Sequence, residues 1–157
     1  MTVPSQPPEA DAADVRIEAV DVEVILPVRA AVLRAGLPVD LARFEQDGDP
    51  ATVHLAALDP SGQVIGCSSW SPDVWDGRPA WRLRGMATVP SERGRGVGAR
   101  LLAAGLALGV DAGIPVAWCN ARTSALGFYR RYGFTAVGEE FVTQYAGPHY
   151  RMWRPLP

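Results

Sequence analysis

The order of elements read along this chain predicts an α+β sandwich, a single domain whose sheet combines an antiparallel meander with crossover connections and is flanked by helices. Three observations predict it. Short runs in which apolar and polar residues alternate recur along most of the chain, as strands require. Two longer stretches switch to helical spacing, one near the start and one directly after a glycine-rich loop. The chain of 157 residues, 48% hydrophobic and 20% charged, has the size and balance of one globular core.

Residues 1–14 hold three prolines and small polar residues without apolar periodicity, and they lack the basic start and apolar run of a signal peptide. They are expected to form a disordered tail ahead of a domain spanning 15–157. Val15, Ile17 and Ala19 alternate as a first strand. Helical spacing follows through Val24, Val28, Ala31 and Val32, until Gly36 and Pro38 end the helix. A weaker helix is expected over Val39 to Phe44, before the turn residues Asp47 to Pro50. Strands Thr52 to Leu58 and Gln63 to Trp70 flank Asp59-Pro60-Ser61-Gly62, the turn chemistry of an antiparallel hairpin. Ser71 to Pro79 reads as a loop, leading to a fourth strand over Ala80 to Val89 with Trp81, Leu83, Ala87 and Val89 on one face. After a charged loop, Val97, Leu101, Ala104 and Leu108 mark one face of a helix that Gly113 and Pro115 terminate. A buried strand fits Val116 to Cys119. Thr123 or Ser124 then caps a helix through Tyr132, closed by Gly133, and strands near Thr135 to Val142 and His149 to Arg154 finish the domain.

Composition removes several functions. All 15 basic residues are arginine, so a P-loop lysine and a Schiff-base amine are both absent. A net charge of −2 lacks the basic excess that drives nucleic-acid binding, and no apolar run approaches the roughly 20 residues of a membrane span. Cys67 and Cys119 lie in apolar strands without metal-ligand spacing, and there are only two histidines. No metal site is expected, and buried free thiols suit the cytoplasm.

The most informative stretch is Arg93-Gly94-Arg95-Gly96-Val97-Gly98, between a strand and a strongly apolar helix. Unpaired amides, the positive end of the helix dipole, close backbone approach at glycine and two arginines together suit a phosphate group or a pyrophosphate. A dinucleotide fingerprint fits poorly. Its third glycine would fall on Leu101 or Ala99, and no ribose-binding acid follows in a βαβ unit.

Arg93, Gly96 and Gly98 fill the Arg/Gln-x-x-Gly-x-Gly/Ala signature of the GNAT superfamily of acetyl-CoA-dependent N-acetyltransferases, which this chain resembles. Ala125 to Phe134 resembles that family's A-x-x-F-Y-x-x-x-G-F segment, and the element order matches from Val15 to Arg154. Gly147 to Met152 is similar to the Gly-x-Pro-His-x-x-Met tail of an ElaA-like branch. One departure is Arg122, where many relatives carry an asparagine; Asn120 is the only asparagine in the chain.

The resemblance implies a mixed, mostly antiparallel sheet, splayed between strands four and five, that takes acetyl-CoA as co-substrate. The pantetheine arm would pair with Met86, Ala87 and Thr88, and the Arg93-Gly94-Arg95-Gly96-Val97-Gly98-Ala99 loop would hold the pyrophosphate. Asn120 or Arg122 would contribute from strand five, Arg122 by reaching a phosphate. Gly85 suits a strand bulge that frees these amides, or equally a site of close packing. Tyr129 would protonate the departing thiolate. The general base is open among His149, Glu139, Glu140, Tyr150 and a water chain, with His149 the catalytic candidate. The acceptor is a small amine or a peptide or protein amine, its site bordered by Arg43, Phe44 and the Thr143 to Pro148 loop, and the chain could form a homodimer. Trp70, Trp75 and Trp81 are assigned no more than a capping role on the sheet. Two rival functions remain: an acyl-CoA-binding sensor without turnover, and a nucleotide-dependent oxidoreductase.

Overall fold

The computed structural model describes residues 14–157, so the expected tail lies almost wholly outside the described residues. Seven strands form one sheet: β1 Arg16–Val20, β2 Val53–Leu58, β3 Val64–Trp75, β4 Arg78–Thr88, β5 Val116–Arg122, β6 Thr135–Thr143 and β7 Gly147–Pro155. Three helices, α1 Val22–Leu33, α2 Val97–Asp111 and α3 Leu126–Arg131, complete it. The order across the sheet is β1-β2-β3-β4-β5-β7-β6, and only β4 and β5 run parallel. The parallel pair is the one joined through α2, because a parallel connection must cross back over the sheet. The mixed, mostly antiparallel sheet expected from the sequence is therefore present.

The main core lies between the sheet and α2 with α3, where Leu101 and Leu102 are fully buried and Phe134 and Met152 join them. Burying such a side chain contributes about 2 kcal/mol. The opposite face packs α1 through Ile25 against Ala56, Leu58, Cys67 and Ala87.

Both helix faces differ from the sequence expectation. On α1 the buried residues are Ile25, Leu26, Arg29 and Ala30, and Val24 is exposed. Arg29 belongs to the buried face because it is paired: its guanidinium grips the Asp47 carboxylate at 2.7 and 3.1 Å, the Ala42 carbonyl at 3.0 Å and Ser69 Oγ at 2.7 Å. A charge without those partners could not occupy that position. On α2 the buried line is Val97, Leu101, Leu102, Gly105 and Gly109, and Leu108 turns outward. Two glycines take the place of apolar side chains because tryptophans fill the space. A Cβ on Gly105 would lie 1.9 Å from the Trp70 ring, and Trp81 Nε1 donates to the Gly105 carbonyl at 2.8 Å. Trp70 and Trp81 are thus core residues rather than caps.

The expected second helix is two 3₁₀ turns, Val39–Ala42 and Glu45–Gly48. Asp47 accepts the Phe44 N–H at 2.8 Å while held by Arg29, so a side chain from α1 fixes this segment instead of helical periodicity. The expected loop over Ser71 to Pro79 is also absent. Pro72 and Pro79 sit inside β3 and β4, which pair up to Trp75↔Arg78 across the tight turn Asp76-Gly77, both residues at positive φ. Proline is tolerated there because β2 stops pairing with β3 at Trp70 and β5 starts pairing with β4 at Ala80.

Candidate functional site

β4 and β5 pair only from Ala80↔Val116 to Leu83↔Cys119 and then separate. Two local features cause the separation. On β4, the register with β3 steps from Ser69↔Arg84 to Cys67↔Ala87, so Gly85 and Met86 together oppose one residue. Gly85 has φ +66°, and a Cβ there would stand 2.9 Å from the Phe44 ring and 3.0 Å from Arg29 Nε. The bulge and the close packing raised as alternatives are both present. The extra residue also reverses the side-chain parity: Trp81 and Leu83 face α2, whereas Ala87 faces α1 and does not share their face. β5 meanwhile stays with β7 as far as Arg122↔His149.

The opening between them is a cleft of about 720 Å³. Of the residues expected at the site, Met86, Ala87, Thr88, Arg93, Gly98, Asn120, Arg122, Tyr129 and His149 line it. Gly94, Arg95, Gly96, Val97 and Ala99 do not. Gly94 and Gly96 hold the loop in shape at φ +81° and +85°, Arg95 pairs with Glu92, and the Val97 side chain is buried in the core. Gly96 is the N-cap of α2 and gives it no side-chain cap, and the first turn carries no acid. The first amides of α2 therefore keep their donor capacity, and cationic Arg93, bonded to the Thr88 carbonyl, stands beside them. Gly98 adds room, since a Cβ there would meet only Phe128 and Thr88 at ordinary contact distance. This end of the cleft fits a pyrophosphate.

Tyr129 is packed edge-on against Phe128 and Phe134, at centroid distances of 5.1 and 5.5 Å. No hydrogen bond reaches its hydroxyl among the described residues. Burial, followed by the neighbouring Cys119, pushes its ionisation well above the usual phenol value, so it stays protonated across the neutral range. The hydroxyl is thus in its proton-bearing form. His149 stands on β7, stacked on Phe141, with Nδ1 2.8 Å from the Gly147 carbonyl. A carbonyl only accepts, so Nδ1 is the donor in that bond, which leaves Nε2 as the ring nitrogen for a cleft partner. His149 can accept a proton. Glu139, Glu140 and Tyr150 do not line the cleft, and Glu140 accepts a bond from Thr123 at 2.7 Å.

Phe44, Thr143, Gln144 and Ala146 border the cleft, in line with the expected acceptor side, whereas Arg43 is held outside by Glu23 and Asp40. Arg34, Arg82 and Arg84 also line it and were not anticipated. The signal available was the alternation of Arg82 and Arg84 with Trp81 and Leu83, which places two cations on the strand face turned away from the α2 core.

The comparisons agree with this architecture. A family model described as acetyltransferase (GNAT) domain matches residues 49–136. An uncharacterised N-acetyltransferase of Bacillus subtilis, YitI, is 28% identical over 143 residues, covering 89% of this chain and 95% of its own. A solved N-acetyltransferase structure from Lactobacillus plantarum superposes with a TM-score of 0.77 at 19% identity, over 91% of this chain and 99% of that one. Escherichia coli ElaA superposes with a TM-score of 0.69 at 18% identity, over 89% and 99%. At that identity the likeness to ElaA is one of fold, and the branch rests on the tail motif alone.

Proposed function

The chain belongs to the acetyltransferase (GNAT) domain family and is an acyltransferase, and from that premise we propose that it moves an acetyl group from acetyl-CoA to a primary amine by direct attack in a ternary complex. The observation that carries this reading is the cleft itself. A helix N-terminus suited to a pyrophosphate lies at its edge, the stretch of β4 past Leu83 does not pair with β5, and Tyr129 and His149, a candidate proton donor and a candidate proton acceptor, are among its lining. Loop and strand together fit acetyl-CoA: Arg93, Gly98 and the first amides of α2 would hold its phosphates, and Met86, Ala87 and Thr88 would pair with its arm, with Asn120 and Arg122 opposite. Bound there, acetyl-CoA supplies an activated thioester.

The chain does the rest. Deprotonation of the acceptor ammonium falls to His149 Nε2, directly or through water. A backbone amide freed by the bulge donates to the thioester oxygen, and that bond strengthens as the oxygen gains charge. The departing sulfur needs a proton at neutral pH, which the Tyr129 hydroxyl would give.

Calorimetric titration with acetyl-CoA tests the binding half of this reading. Gly98→Asp is the decisive variant, because Gly98 has no positive φ and tolerates a Cβ, while the carboxylate enters the pyrophosphate position. Acetyl-CoA binding should fall by about 100-fold or more, and unchanged affinity would remove the site assignment. An amine panel assayed for CoA release tests turnover. Tight binding with no amine-dependent release would favour the sensor reading.

A further inference from the structure

Five arginines line the cleft, Arg34, Arg82, Arg84, Arg93 and Arg122, and among the described residues no aspartate or glutamate does. Three of the five spend donors on the backbone: Arg34 and Arg122 on the Leu33 carbonyl, and Arg93 on that of Thr88. Arg82 and Arg84 have no hydrogen bond among the described residues. Their Nε atoms are buried and unpartnered, and the nearest ion-pair contact is Asp73, 3.9 Å from Arg82. Asp73, Glu45 and Asp47 bear on Arg84 electrostatically, but none comes within ion-pair distance, and Asp47 is bound by Arg29.

The two guanidiniums are held ready rather than left loose. Two residues apart on β4, they share the face turned away from α2. Arg82 lies 4.3 Å over the Trp118 ring and Arg84 5.9 Å from the Phe44 ring, so aromatic planes support both. Burial costs each of them, and like charge adds to it, from Arg84 on Arg82 and from Arg29 on Arg84. A pair of desolvated cations whose single ion-pair contact among the described residues is the 3.9 Å approach of Asp73 to Arg82 is under-compensated, and a further anion would relieve it.

The cofactor phosphates are poorly placed for this. They belong with the α2 N-terminus, beyond Thr88, which across the bulge lies about 10 Å along β4 from Arg84, level with the three steps from Ser69 to Gly66 on β3. Arg84 instead follows Leu83↔Cys119, the last parallel pair, on the flank of Asn120, whose Oδ1 is buried and unpartnered. Two residues beyond Asn120 on β5, Arg122 pairs with His149 on β7, the neighbour of β5 on the side away from β4. Arg84 and His149 therefore stand about 12 Å apart, one side-chain repeat along the strands and two strand spacings across them, and the long Arg84 side chain shortens that gap for an acceptor whose amine lies near His149.

On the basis of the transfer reaction above, we propose that the acceptor is a small amine carrying an oxyanion, a carboxylate or a phosphate, and that Arg84 and Arg82 bind that oxyanion. The planar guanidinium fork matches either group, and a buried donor pair discriminates strongly against an analogue lacking it.

The test uses matched acceptors: β-alanine against propylamine, 4-aminobutyrate against butylamine, and phosphoethanolamine against ethylamine. kcat/KM should favour the oxyanion member by about tenfold or more in the parent. The carboxylate and phosphate arms decide the source of the oxyanion. Arg84→Gln and Arg82→Gln should shrink the preference toward unity through a rise in acceptor KM, Arg84→Lys should restore part of it, and acetyl-CoA affinity should stay within about twofold. Equal use of both members in the parent, or a preference that survives both glutamine variants, overturns the inference. Equilibrium titration of the same amines into the protein alone gives a second readout. A failure of acetyl-CoA to bind, with the preference intact in that titration, would sink the transfer reading and not the oxyanion site. Acetyl-CoA binding without any preference would do the reverse.

Discussion

Tyr129 and the two thiols carry the tests that belong to single side chains. Tyr129→Phe keeps the ring that packs on Phe128 and Phe134 and removes only the hydroxyl, which makes no hydrogen bond among the described residues. We expect kcat to fall by about 100-fold with acetyl-CoA affinity nearly unchanged; a kcat within a few-fold of the parent, where chemistry limits the rate, would make Tyr129 a packing residue. Burial pushes Cys67 and Cys119 up to about 12. Unfolded thiols ionise near ~8.5, so between that value and about 12 the native state holds protons that the unfolded chain has lost. These thiols thus leave stability unaffected below about pH 8 and lower it progressively as pH rises above that. Denaturation midpoints measured from neutral to alkaline pH should show the decline, and a double alanine variant should flatten it.

At the scale of the element, glycine has opposite meanings in two helices. Gly105→Ala on α2 gains about 1 kcal/mol of helix propensity, but its Cβ would fall 1.9 Å from the Trp70 ring, so we expect a net loss of about 2 kcal/mol or more. Gly127→Ala on α3 meets nothing within 4 Å and should be neutral or stabilising by up to about 1 kcal/mol. Chemical denaturation of the two variants would expose a wrong assignment through its sign. The unpaired stretch of β4 makes a further expectation: past Leu83, amides facing the opening should exchange hydrogen quickly and those facing β3 slowly, and saturation with acetyl-CoA should slow the first set. Uniform protection without ligand would contradict the splay.

What the sequence could convey follows the same division. Strands, the glycine loop and the Ala125 to Phe134 segment were legible because their chemistry is local. The faces of α1 and α2 were not, since periodicity counts apolar side chains, whereas here a paired arginine and two glycines occupy the buried line. Val39 to Gly48 depends on Arg29, which is distant in sequence. One added residue at Gly85 inverted the reading of Ala87, a change that pattern counting cannot register. His149 and Tyr129 were placed in the cleft as expected, while Arg82 and Arg84 were overlooked because their isolation is a property of the fold.

For the molecule as a whole, the absence of lysine has an experimental use. Incubated with excess acetyl-CoA, this chain cannot form ε-acetyl-lysine on itself, so any such product found by mass spectrometry must lie on an added acceptor. The five tryptophans offer another. Trp70 and Trp81 stack 6.2 Å apart under α2, whereas Trp75, Trp118 and Trp153 cluster on the opposite face beside Arg82 and Arg151. The sheet thereby separates two sets of intrinsic fluorophores. Emission from the first pair reports how α2 is seated and emission from the second reports what lies against Arg82, so two environments can be followed optically without a label.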